Sequence, residues 1–377
     1  MTPRRIAALT GRIGLRDLPR WMTLPLLATW LAGCPAPETE PPDGGSPPNP
    51  PDGGSPPNLD PGWQVVLDEG DLDRAVLSVW GASPTDVYAV GGPLGNSGFE
   101  ALALHFDGTQ WRDLNAGGPE TFWWVNGSSP SDVWMVGTEG RIVHWDGSAF
   151  TDHVSRTTAT LWGVWAASPT DAWIVGGTPG KGAAAPNDIV LHWDGRAWSP
   201  ELLPGEPLGR SLFKVWGTSS ENLYVVGEAG TLWHRKGTTW SLEPEVPIAS
   251  GTLFTVAGCS ATDLYAVGNF DVLHGDGTTW SKVAIELTGG VNGVSCGRPG
   301  EVAVVGSGGS KQRLVNGTWI DEFTTKPYTD LHAVWGDGTG SFWAVGGDFI
   351  SSPSPMQPRK GTVARFGAGS VSGEIPP

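Results

Sequence analysis

The chain has 377 residues and is acidic, with 23 Lys and Arg against 39 Asp and Glu and a formal net charge of −16. A field of that sign opposes contact with nucleic acid and with anionic lipid surfaces, and excludes both as partners. Much of the hydrophobic content sits in 21 tryptophans, and there are three cysteines.

The N-terminus carries Arg4, Arg5, Arg12, Arg16 and Arg20 ahead of an apolar run, Trp21 to Trp30, that ends in L-A-G-C at Leu31 to Cys34. A positive stretch, a short apolar run and small residues before a cut describe a secretory signal over residues 1–33. A signal anchor with an incidental cysteine is the alternative, although the run is too short to span a bilayer. Arg4-Arg5 also fits a twin-arginine signal, but the apolar run begins far downstream of it; Met22 is a second candidate start. L-A-G-C resembles the bacterial lipobox, and that resemblance implies that Cys34 becomes a lipidated first residue and the only link to a membrane. The next residue, Pro35, is not an aspartate retention signal, so the expected destination is the outer membrane or cell surface. Cutting before Cys34 removes five arginines and Asp17, which takes 23 basic and 39 acidic groups to 18 and 38, a net of −20.

Residues 34–61 have no apolar periodicity, and PPDGGSPPN occurs twice in tandem, Pro41 to Asn49 and Pro50 to Asn58. This is a linker, able to reach roughly 80 Å as polyproline II and about 30 Å as a flexible coil.

From residue 62 onward one skeleton, V-x10-V-G, recurs. Its first valines are Val79, Val125, Val164, Val215, Val256, Val294 and Val334, spaced 46, 39, 51, 41, 38 and 40 residues apart. Those periods suit four-stranded propeller blades. Each unit opens on a β-branched and aromatic run such as L-S-V-W, a buried inner strand a. Polar turns follow, as in S-P-T-D at Ser83 to Asp86, where proline presets the turn and Ser and Asp bond the local backbone. Strand b is V-Y-A-V-G or its equivalent. A second signature, H-F-D-G-T-Q-W from His105 and H-G-D-G-T-T-W from His274 with copies between them, predicts a c-d hairpin closed by a type I′ turn. The copy ending at Trp319 keeps Asn-Gly, and the one from Ala364 is degenerate.

These motifs resemble the β-propeller repeats of the Kelch kind (V-Y-A-V-G-G, Val87 to Gly92) and of the Asp-box kind (D-G-T-T-W, Asp276 to Trp280). The overall pattern W-G-x-S-x-x-D-V-x-A-V-G is similar to the propellers of secreted myxobacterial lipoproteins, over Gly62 to Pro377. The resemblance implies an all-β, seven-bladed propeller of four-stranded blades at 62–377. It is specific for fold and silent on activity.

Tryptophans recur in strand a (Trp80, Trp165, Trp216, Trp335), strand b (Trp134, Trp173, Trp343) and strand d (Trp111, Trp198, Trp240, Trp280, Trp319), where packing between blades explains them. Trp123 and Trp233 fall outside that grid and are candidates for stacking on carbohydrate. His105, His144, His192, His234 and His274 occupy one equivalent position in five blades and cannot converge on one ion; a structural hydrogen bond across the c-d hairpin is expected. The acidic run Asp68 to Asp73 lacks calcium-loop spacing and reads as a solvated connection. No metal or other cofactor is expected. A sialidase-like tyrosine nucleophile has little support, since Tyr88, Tyr224 and Tyr265 sit at the repeated strand-b position and only Tyr328 lies elsewhere. No nucleophile-elbow or zincin motif occurs. A glycoside hydrolase or polysaccharide lyase built from scattered carboxylates stays open as the alternative function.

Function is expected instead in unequal b-c loops on a regular scaffold: PLGNSGFE in blade 1, TPGKGAAAPND in blade 3 and DFISSPSPMQPRKG in blade 7. Candidate contact residues are Asn96, Phe99 and Glu100, then Lys181 and Asp188, then Asp348, Met356, Arg359 and Lys360. They define a monomeric, non-enzymatic module that binds a protein or glycan at the b-c face. Blade 7 lacks its own strand d, and Trp63 to Leu67 is expected to fill that place against Thr362 to Phe366, with Ser370 to Glu374 as the competing segment. Finally, Cys259 and Cys296 fall in the a-b turns of neighbouring blades 5 and 6, both of which lack the motif tryptophan (Ala257 and Ser295). A disulfide is expected in place of that packing, two buried thiols being the alternative.

Overall fold

The computed structural model describes residues 61–375 apart from 69, 97, 245, 249–250 and 350–358. Cys34, the signal and the linker lie outside the described residues, as does Met356.

Seven four-stranded antiparallel sheets follow one another. In blade 1, strand a is Ala75–Ser83, b is Asp86–Gly92, c is Leu102–Phe106 and d is Trp111–Asp113. The other inner strands are Phe122–Ser129, Thr160–Ser168, Leu212–Ser219, Thr255–Ser260, Val291–Arg298 and Leu331–Gly336. Each inner strand contacts the next, and the strand of blade 7 contacts that of blade 1, so the ring closes.

Closure uses the N-terminal segment. Gly62–Leu67 pairs with Gly361–Gly367 in the register Trp63↔Phe366, Gln64↔Arg365, Val65↔Ala364 and Leu67↔Val363, and so supplies strand d of blade 7. A closed ring leaves no inner edge to recruit another chain. Trp63 packs edge-on to Phe366 and donates its indole N–H to Glu322, which chelates Arg313; the Arg313 guanidinium lies 3.5 Å from the Phe366 ring centre. Ser370 to Glu374 forms no strand. It runs on to blade 1, where the Glu374 carbonyl accepts from Trp111 N.

The recurring V-W-G has a mechanical reason. The strand-a tryptophan of one blade covers the strand-a glycine of the next: a Cβ on Gly127 would lie 2.9 Å from Trp80, one on Gly258 2.6 Å from Trp216, and one on Gly81 2.5 Å from Trp335. Only glycine tolerates that approach. Where the tryptophan is missing, another device spans the same gap. Asn126 Oδ1 accepts from Ala166 N at 2.9 Å, and Ser295 Oγ accepts from Gly336 N at 3.0 Å. Between blades 5 and 6 the device is covalent, with Cys259 bonded to Cys296 and their Cα atoms 5.3 Å apart; both lie near the end of strand a and not in the a-b turns where spacing places them.

Two local expectations need correction. In the D-G turns only glycine takes a positive φ (Gly108 91°, Gly147 92°, Gly195 87°, Gly277 86°), so type I′ does not form there. The aspartate carboxylate folds over the turn instead: Asp107 Oδ1 accepts from Thr109 N, Thr109 Oγ and Gln110 N. These bonds to the ionised form depress the Asp107 pKa to about 2. The two-residue positive-φ turn occurs at Asn316 (50°) and Gly317 (79°), because asparagine tolerates that region.

The repeated histidines also make a bond that was not expected. Nε2 of His105, His144, His192 and His274 meets Asp86, Asp132, Asp171 and Asp263 at 2.8–3.1 Å, and that of His234 meets Asn222. The Nε2 bond therefore joins strand c to the start of strand b, and the expected link across the c-d hairpin is made by the other ring nitrogen in two blades: His105 Nδ1 accepts from Arg112 on strand d at 3.1 Å, and His234 Nδ1 lies 3.4 Å from Glu243, just past strand d. Each ring also packs on the strand-b aromatic, as His105 does on Tyr88 at 4.5 Å. Burial lowers the pKa of His105 and takes His234 to about 4, so both are neutral struts.

Candidate binding face

The b-c and d-a connections share one face: Ala101 N donates to Gly118 O across them in blade 1, and Asp188 N donates to Arg210 O in blade 3. Strand a begins on this face. In six blades its pairing with strand b slips by one residue just after that start. The residue inside each bulge, two before the repeat valine, is Leu77, Trp123, Trp162, Phe213, Asn292 or His332; Phe254 holds the equivalent place in blade 5. A bulge bends the strand and re-aims a side chain, and here it collects residues from different blades at the propeller axis.

Their contacts form an arc. Ring centres lie 4.6 Å apart for Trp123 and Trp162, 5.7 Å for Trp162 and Phe213, and 5.9 Å for Phe213 and Phe254. Trp123 also reaches His332 at 5.7 Å, and His332 meets Phe349, from the blade 7 b-c loop, at 5.1 Å. All are partly exposed. The Trp162 indole N–H is taken by Gly177 O at 2.9 Å, and Trp123 Nε1 is buried, so both rings offer carbon and π surface to solvent.

Beneath the arc lies Lys214. Its ammonium donates to Trp162 O at 2.8 Å and lies 4.1 Å from the Trp124 ring centre. Burial without a carboxylate partner pulls its pKa down to about 7. His332 is driven by burial to about 3 and is neutral. Its Nδ1 faces the Leu77 carbonyl, which can only accept, so Nδ1 carries the proton.

Exposed apolar side chains favour the same face. Val154 (75% exposed), Leu202 (86%), Phe270 (60%), Phe323 and Tyr328 all lie in b-c or d-a connections; the other large exposed apolar residues, Val65, Leu242 and Ile320, are on outer strands. Among the described residues none is at an a-b or c-d turn. An open hollow of ≈ 670 Å³ between the blade 1–2 and blade 2–3 connections is lined by Glu120, Arg141, Asp152, His153 and Arg156. Arg141 spends its donors on Ala116 O, Gly117 O, Glu120 and Asp152, which holds the loops together.

The loop residues chosen from sequence fall on this face in unequal roles. Phe99 is partly exposed and Glu100, Lys181 and Asp348 are exposed. Asn96 and Arg359 are buried, Arg359 donating to Asp348 O. Asp188 accepts from Gly209 N, and Lys360 O accepts from Asp348 N. These four support loop shape more than they display a surface. Of the two tryptophans set aside, Trp123 joins the arc, whereas Trp233 is a core residue, 5% exposed, packed between blades 3 and 4. Trp162, Phe213 and Phe254 were missed; the signal was a large residue two places before the repeat valine. Among the described residues no group of His, Cys, Asp and Glu could hold a metal ion.

Fold and face define a seven-bladed β-propeller whose axis is filled, on one side, by aromatic side chains. No protein-family model matches the chain, and no curated protein does. Solved structures are similar in fold. YCF48 bound to D1 peptide aligns at a TM-score of 0.60 with 15% identity, over 81% of this chain and 97% of that one. The WD40 propeller domain of Doa1 aligns at 0.59 and 13%, over 81% and 97%. Virginiamycin B lyase from Staphylococcus aureus aligns at 0.60 and 10%, over 82% and 99%.

Proposed function

We propose that this propeller is an exported binding module, anchored by lipid at Cys34 and held off the outer membrane or cell surface by the linker of residues 34–61, that recognises a polypeptide on its b-c face. The observation that carries this reading is the aromatic arc at the axis. Binding energy concentrates in aromatic side chains near the centre of a contact patch, and five exposed apolar residues lie in the connections of the same face. Binding of the D1 peptide by YCF48, a protein of similar fold, fits the same use. The seven positions that ring the axis hold aliphatic, aromatic, amide and imidazole groups, with the Lys214 ammonium beneath them and no carboxylate among the seven, which favours binding over glycoside hydrolysis. The resemblance to Kelch and Asp-box repeats of secreted lipoproteins agrees with this placement.

A photo-crosslinking residue at Phe270 tests the reading against the same residue at Thr109, on the opposite face. Adducts on intact cells are expected from position 270 alone, and protease should collapse them. Equal yields from both positions refute the face; adducts that resist protease but yield to periodate assign the ligand to glycan.

A further inference from the structure

The chemistry at the end of the arc narrows the partner. His332 is a neutral imidazole whose protonated Nδ1 is turned to Leu77 O, which leaves Nε2 with a lone pair and, among the described residues, no hydrogen bond. Trp123 and Phe349 rings flank it at 5.7 and 5.1 Å. Two aromatic rings, set at 52° and 89° to the imidazole plane, beside one acceptor nitrogen suit a guanidinium, which packs on aromatic rings and donates in its own plane. The surroundings have the complementary sign: the chain carries −16 overall, and Glu120, Glu139, Glu228, Asp330 and Asp348 stand in the connections of this face.

Resting on the binding face proposed above, we infer that the subsite of Trp123, His332 and Phe349 receives an arginine side chain of a basic, extended polypeptide. The guanidinium stacks on Trp123 and donates to His332 Nε2, while the acidic face draws the rest of the segment. The charge of Lys214 acts on His332, but burial lowers the Lys214 pKa to about 7, so it opposes a guanidinium less than a solvated ammonium would.

Fluorescence anisotropy of a labelled glycine-serine peptide carrying several arginines, titrated with the domain of residues 62–377, tests this. The same peptide with citrulline keeps the shape and hydrogen bonds and removes the charge; a glutamate version reverses it. Saturable binding of the arginine peptide is expected, weakened about tenfold with citrulline, lost with glutamate, and reduced in 0.5 M salt. Trp123→Leu and Phe349→Ala should each weaken it several-fold. Phe349 is in a loop, so its variant decides even if the Trp123 variant fails to fold. Equal affinity for citrulline overturns the cation inference, and tighter binding of glutamate reverses its sign toward Lys214. If no peptide binds while Phe270 still crosslinks a partner, the arginine subsite is wrong and the binding face stands.

Discussion

Removing the disulfide between Cys259 and Cys296 offers a test of how the ring is held, and its size can be worked out. The bond closes a 37-residue segment, and loop-closure entropy then contributes about 4 kcal/mol. For a propeller spanning residues 62–377, unfolding entropy of about 2.1 cal/mol/K per residue gives roughly 0.65 kcal/mol/K, so Cys259→Ala with Cys296→Ala should lower Tm by about 6 °C. The structure also prescribes a repair. Cys296 stands where Gly127, Gly258 and Gly81 accept the preceding blade's tryptophan, and Ala257 stands where that tryptophan would be. Adding Ala257→Trp, with glycine in place of alanine at 296, should rebuild the contact seen between Trp216 and Gly258 and return about 1–3 kcal/mol. Calorimetry of wild type, double alanine and repaired proteins, with and without reductant, reads both effects. A double alanine protein that melts within about 1 °C of wild type would refute the staple. A repaired protein no more stable than the alanine one would refute the equivalence of sulfur bridge and Trp–Gly contact.

Deleting residues before Asp68 should expose the edge of Gly361–Gly367 and give oligomers or aggregates on size exclusion; a stable monomer counts against closure by the N-terminal strand. Lys214→Met should stabilise by about 1–4 kcal/mol at pH 7, since a buried charge without a carboxylate is replaced by an apolar chain of similar length. With a folded pKa of about 7 below an unfolded value near 10.4, the unfolded state binds more protons in between. Wild-type stability should therefore rise from about pH 7 to pH 10 through this group, and denaturant titrations should show a smaller rise in the variant; an unchanged slope rejects the assignment. Cys34→Ser should move the protein from the membrane fraction to the soluble one, and retention in the membrane would end the anchor reading.

The repeat was legible from spacing alone. Seven V-x10-V-G units at blade-sized intervals require inner strands, and an unequal blade 7 requires a donor of the missing strand, which Trp63 to Leu67 matched by residue type. The staple was legible as well, because Cys259 and Cys296 lie three and two places after their repeat valines in neighbouring blades, both of which lack the motif tryptophan. Turn type was not, since Asp107 answers to its own side-chain hydrogen bonds as much as to dipeptide statistics. Nor was the arc. Trp123, Trp162, Phe213 and His332 are separated by 39 to 119 positions, and each reads as one more inner-strand residue. The large residue two places before the repeat valine marks the position but not its direction; a one-residue slip in strand pairing turns those side chains to the axis, and only closure of seven blades about that axis brings them within 6 Å of one another.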